Sequence, residues 1–69
     1  MDFKTRLKQL RTEAGLSQKE LGKIIGATYS AISFWETGVN EPKISYIIAL
    51  CKYFKVTSDY LLGMTNNPN

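Results

Sequence analysis

The segment ATYSAISFWETG, residues 27–38, gathers Tyr29, Phe34 and Trp35 among small polar residues and contains no Lys or Arg. Hydroxyl groups both donate and accept hydrogen bonds, and aromatic rings offer flat apolar area. This is chemistry of recognition by contact, not of bond making. The rest of the chain agrees. It has no histidine, and Cys51 is its only cysteine. A serine–histidine triad, a histidine general base and a zinc site are therefore excluded by composition, and an internal disulfide cannot form. No Gly-rich phosphate loop and no carboxylate cluster occurs. The expectation is a protein that is not an enzyme and carries no cofactor or metal.

At about 100° per residue, a helix over this segment sorts its own side chains. Thr28, Ala31, Ile32 and Trp35 share one side, with Glu36 at its edge. Tyr29, Ser30, Ser33, Phe34 and Thr37 share the other. The first side is expected in the core. The second differs from an ordinary solvent face of Lys, Glu, Gln and Arg, and is flat, lightly charged and suited to close contact. Cys51 lies on another apolar stripe and reads as an inert buried thiol.

Four other helices must position that face. Phe3, Leu7, Leu10 and Ala14 recur at helical spacing, with Asp2 as N-cap and Gly15 at the end, giving a first helix over roughly 2–14. Ser17 and Glu20 form a capping box, Leu16 and Leu21 a hydrophobic staple, and Gly26 a stop, giving a second helix over 18–25. Thr28 caps the third helix and Gly38 ends it. Pro42 breaks the next loop. Ile44, Ile47, Ile48, Cys51 and Phe54 then form one stripe of a fourth helix over 44–54. Thr57 caps a short fifth helix in SDYLLG. Residues 64–69 have no periodicity and are expected to form a flexible tail, leaving residues 1–63 as one all-α domain. Gly22, one turn before Gly26, lets the second and third helices approach closely. Two capped helices joined by a glycine-containing turn are the mark of a helix-turn-helix.

The chain has 69 residues, a formal charge of +3 and an isoelectric point near 9.2. Its size permits one small domain, and its charge permits a polyanionic partner. No apolar run approaches the ~20 residues of a membrane span, and the N-terminus lacks the apolar stretch of a signal peptide. A soluble, cytoplasmic protein is expected.

A DNA major groove admits one α-helix. Serine and threonine hydroxyls there meet base edges of several kinds, and an aromatic side chain packs against thymine methyl groups. The third helix carries no outward Arg, Asn or Gln for bidentate readout, so direct readout is expected to be modest and helped by DNA shape. Gln18 is the nearest amide. Lys19 and Lys23 flank the face and Lys43 follows the loop, while backbone N–H groups at the starts of the second and fourth helices can hold phosphates. Arg11 and Glu36, at the edges of apolar faces, are placed to join the first helix to the third as a buried ion pair.

At these residues the stretch LRTEAGLSQKELGKIIGATYSAISFWETGVNEP resembles the Cro/cI-type (Xre) helix-turn-helix family of phage repressors and bacterial regulators. The landmarks are Arg11, Leu16-Ser17-Gln18, Leu21, Gly26, Ile32, Glu36, Gly38 and Pro42, with VTSDYLLG resembling the family's fifth helix. The resemblance implies a compact five-helix, lambda-repressor-like domain whose third helix enters the major groove. It implies base contacts at Gln18, Thr28, Tyr29, Ser30, Ser33 and Phe34. Phosphate contacts are implied near Ser17, Lys23, Thr37, Asn40 and Lys43, to which the charge pattern adds Lys19. It also implies the Arg11–Glu36 pair and dimeric binding to a palindromic operator, with dimer contacts between Lys55 and Leu62. The sequence departs from the pattern at Gly22, often Ala; at Tyr29 and Phe34, often Gln or Arg; and in a third-to-fourth-helix loop poor in Lys and Arg. Two functions follow. One is a transcriptional regulator, in the first place a repressor, binding double-stranded operator DNA as a homodimer. The other is a protein-interaction module such as the antitoxin of a toxin–antitoxin pair.

Overall fold

The computed structural model describes all 69 residues. Five helices follow in order: α1 (Phe3–Glu13), α2 (Gln18–Ile25), α3 (Tyr29–Thr37), α4 (Ile44–Phe54) and α5 (Ser58–Leu61). None is long and apolar enough to cross a membrane. Each start is set by local chemistry. Asp2, Ser17, Thr28 and Thr57 accept, through their side chains, the N–H three residues on, which satisfies a donor the helix leaves orphaned. At α2 the cap is reciprocal, since Glu20 Oε1 accepts from the Ser17 N–H at 2.9 Å. Gly26 ends α2 in the left-handed region at φ 78°, a conformation that turns the chain directly into α3.

One buried residue or more from every helix meets in the core: Leu7, Leu21, Ile32, Trp35, Leu50 and Leu61. The α2–α3 pair is tight for a specific reason. A Cβ built on buried Gly22 would stand 2.6 Å from the Ala27 carbonyl oxygen. That backbone crosses directly over α2, and the Ala27 N–H donates to the Gly22 carbonyl at 2.8 Å.

The buried side of α4 is displaced from the stripe read in the sequence. Leu50 is its fully buried residue, whereas Ile44 is 78% exposed and Ile48 is also exposed. Tyr46, Ile47, Cys51 and Phe54 pack around Leu50. An eleven-residue helix with apolar residues on most of its circumference does not reveal which side is covered. The neighbours decide, here α2 and α5. In the same way Leu61 enters the core while Leu62 remains exposed.

Arg6 lies outside the Phe3–Leu7–Leu10 apolar spacing of α1 and is nevertheless buried. It is 2% exposed and has no carboxylate partner. Its guanidinium lies 3.6 Å above the centre of the Tyr60 ring. It donates to the Tyr60 carbonyl at 2.9 Å, to Asn66 Oδ1 at 3.1 Å and to Met1 Sδ at 3.1 Å. A cation is favoured beside the orphan carbonyls ending a helix. The same contacts, with a Thr57 N–H to Pro68 carbonyl bond of 3.1 Å, place residues 65–68 along α5.

Candidate nucleic-acid interface

Helix α3 separates its aromatic neighbours completely. Trp35 is 4% exposed and stacks at 5.2 Å, tilted by 50°, on Tyr46 of α4. Phe34 is 44% exposed and Tyr29 is 60% exposed. Thr28, Ser30 and Thr37 are exposed beside them, and Ser33 is half-buried. Two hydroxyls are partly committed. Thr28 Oγ1 accepts the Ala31 N–H at 3.1 Å, so outward it has its own O–H to offer. Thr37 Oγ1 donates back to the Ser33 carbonyl at 3.0 Å and so presents lone pairs outward. Tyr29, Ser30 and Ser33 have no such side-chain bond within the protein.

The orientation of α3 is held from its C-terminal half. Arg11 Nε donates to Glu36 Oε2 at 2.6 Å and Nη2 donates to Oε1 at 3.0 Å, a bidentate pair almost out of solvent. The Glu36 carboxylate holds the Arg11 guanidinium above its ordinary pKa, mainly through this hydrogen bond. Arg11 also donates to the Leu16 carbonyl at 2.8 Å, which fixes the chain entering α2. Gln18 Nε2 completes the arrangement by donating to Glu36 Oε1 at 3.2 Å. The start of α2 is thus set beside the end of α3. Gln18 is half-buried and has one amide hydrogen and its carbonyl left to offer outward.

The elements that adjoin α3 carry unpaired positive charge. Lys19, Lys23 and Lys43 are exposed and belong to no ion pair. Ser17 Oγ accepts from the Glu20 N–H at 3.0 Å and keeps its own hydrogen to donate. Glu20 is held below the ordinary glutamate range, chiefly by the Ser17 backbone N–H, so that carboxylate already serves the helix start. Lys43 is the N-cap of α4 but makes no capping bond. Its side chain is free, and the first N–H groups of α4 lack a side-chain acceptor.

Between α3 and the α3–α4 loop lies an open groove of about 340 Å³. It brings together five residues expected at the site: Thr28, Ser30, Phe34, Asn40 and Lys43. Ser17, Gln18, Lys19, Lys23, Tyr29, Ser33 and Thr37 do not line it. Ala31, Trp35, Glu41, Pro42 and Tyr46 also line the groove, and sequence reasoning had not placed them at the site. Tyr46 carried a signal in retrospect: it is an aromatic in the first turn of the helix that follows the loop, available to pair with Trp35 of α3.

A fold of five helices, four of them capped by side chains, with an α2–turn–α3 pair presenting an uncharged helix face, defines a helix-turn-helix protein. The helix-turn-helix family model matches residues 7–61, and the chain belongs to that family, the Cro/cI (Xre) type of phage repressors and bacterial regulators. It is 39% identical over 63 residues to the HTH-type transcriptional activator BcrR of Enterococcus faecalis, covering 91% of this chain and 31% of BcrR. It is 37% identical over 57 residues to repressor protein C2 of Salmonella phage P22, covering 83% of this chain and 26% of C2. The chain therefore spans about a third of the one relative and a quarter of the other. Its fold matches the crystal structure of the P22 c2 repressor in complex with synthetic operator 9T, with a TM-score of 0.87 and 32% identity over 94% of this chain and 98% of that one.

Proposed function

We propose that this chain is the sequence-specific DNA-binding unit of a transcriptional regulator, acting as a repressor. It inserts α3 into the major groove and binds a palindromic operator as a homodimer. The observation that carries this reading is the outward face of α3, where Tyr29, Ser30, Ser33 and Phe34 form an uncharged strip, with unpaired Lys43 beside it and unpaired Lys19 and Lys23 on the adjoining α2. Gln18, Thr28, Tyr29, Ser30, Ser33 and Phe34 face base edges in this account. Ser17, Lys19, Lys23, Thr37, Asn40, Lys43 and the start of α4 hold phosphates. The likeness to an operator-bound repressor supports the reading. Thr28 contributes as a donor, since its oxygen caps α3, and Gln18 reaches DNA while anchored on Glu36.

Selection from a random duplex library, followed by sequencing, tests the proposal. An inverted repeat with half-site centres about 34–36 Å apart is expected. Recovery of no enriched sequence at low salt contradicts it. Affinity for the selected duplex should fall with salt at a log–log slope of about −0.9 per phosphate contacted. The antitoxin-type reading draws on a different observation: Ile44, Ile48 and Leu62 are exposed apolar residues. Copurification of a small protein partner, with no DNA bound, would favour that reading.

A further inference from the structure

The α3–α4 loop supplies no positive charge of its own before Lys43. Residues 38–41 read GVNE, and α3 has no basic residue in its last turn. The fold brings a lysine there from α1. Lys4 lays its side chain over Gly38, the C-cap of α3: a Cβ built on Gly38 would stand 3.3 Å from Lys4 Cδ and 3.7 Å from Nζ. An ammonium is favoured beside the carbonyls that end a helix. Lys4 is exposed and belongs to no ion pair. With Asn40 and Glu41 it lines an open cleft of about 200 Å³. The same two loop residues also line the groove that holds Lys43. The loop is thus flanked by two lysines, one from α1 and one from the start of α4. Asp2 and Glu41 are the carboxylates of the cleft. Asp2 already caps α1, accepting the Thr5 N–H at 3.1 Å. Without Lys4, a phosphate at this end of α3 would meet two carboxylates and the helix-end carbonyls.

We propose that Lys4 is a phosphate-binding residue of the interface, supplying from α1 the cation that the α3–α4 loop lacks. It extends the set assigned to Thr37, Asn40 and Lys43: Thr37 precedes Gly38 in the chain, and Asn40 lines the cleft with Lys4. The inference rests on the DNA-binding reading, and its test separates the two. A lysine kept only to complement the end of α3 would affect stability and leave the salt dependence of binding unmoved.

Affinity for the selected duplex is measured across a salt series for the unmodified protein, Lys4→Met, Lys4→Arg and Lys52→Met. One phosphate contact contributes about −0.9 to the log–log slope, or about eightfold in affinity at about 0.1 M salt. Lys4→Met should therefore flatten the slope by about 0.9 per protein chain bound and bind about eightfold more weakly at that salt, with its urea midpoint little changed. Lys4→Arg should keep the slope. Lys52→Met removes an exposed cation at the far end of α4 and should keep it too. An unchanged slope for Lys4→Met, with or without a lowered urea midpoint, overturns the proposal and leaves DNA binding intact. So does an equal flattening by Lys52→Met, which would mark a general effect of net charge. Failure of the unmodified protein to bind any duplex at low salt overturns the DNA-binding reading itself.

Discussion

Phe34 and Trp35 are consecutive residues of similar chemistry with opposite roles. Trp35 is closed into the core against Ile32 and Tyr46, while Phe34 stands on the surface among serines. A helix advances about 100° per residue, so neighbours cannot share a face for long. The inner face of α3 is fixed by packing, and its outer face is left free to be specified by a partner. A substitution on one face should therefore unfold the domain, and on the other should alter only what it binds.

The largest break in this contrast is Trp35→Ala. Removing a fully buried indole leaves a cavity between α3 and α4 and should cost about 4 kcal/mol, read by urea or thermal unfolding. Glu36→Ala comes next. It leaves the Arg11 guanidinium buried without its carboxylate and frees Gln18, and about 3 kcal/mol should be lost. A double-mutant cycle with Arg11→Met should recover part of that loss. Gly22→Ala is third. Alanine gains about 1 kcal/mol of helix propensity, but its Cβ meets the Ala27 carbonyl, a backbone atom that cannot rotate away. A net loss of about 1–2 kcal/mol is expected, with the α2–α3 angle disturbed. Phe34→Ala should cost under about 1 kcal/mol, since the ring is half exposed, yet weaken specific DNA binding. If it unfolds the protein as Trp35→Ala does, the two faces have been misassigned.

The smallest effect concerns acid. Glu20 titrates below its ordinary range in the folded chain because Ser17 hydrogen-bonds its charged form. The capping contribution is present above the unfolded-state value of about 4.3 and is lost as the pH falls through the lower folded value. Glu20→Gln should flatten the decline in stability below about pH 4.3. An unchanged acid profile would show that this cap contributes nothing measurable.

The parts of this molecule legible in the sequence are those written in local chemistry. Ser17 with Glu20, Thr28, Gly26 and Thr57 mark helix boundaries because caps and left-handed stops act within three or four residues. The division of α3 was legible because its large apolar residues fall on one side. Arg11 and Glu36 could be paired because each lies at the edge of an apolar face. Arg6 could not be placed, because its acceptors at Tyr60 and Asn66 are neutral groups 54 and 60 residues away. The covered side of α4 was hidden by apolar residues around most of its circumference. The groove was hidden too, since Pro42 and Tyr46 reach it only once the loop folds back against α3.

The central claim is that the outer face of α3 is the surface that meets DNA. A ¹H–¹⁵N NMR titration of the labelled domain with the selected duplex tests it most directly. The largest shifts are predicted along Thr28–Thr37, at Ser17–Lys23 and at Asn40–Ser45, with Tyr53 little changed. Shifts concentrated on Ile48, Cys51 and Leu62, with Tyr29 and Phe34 unmoved, would contradict it.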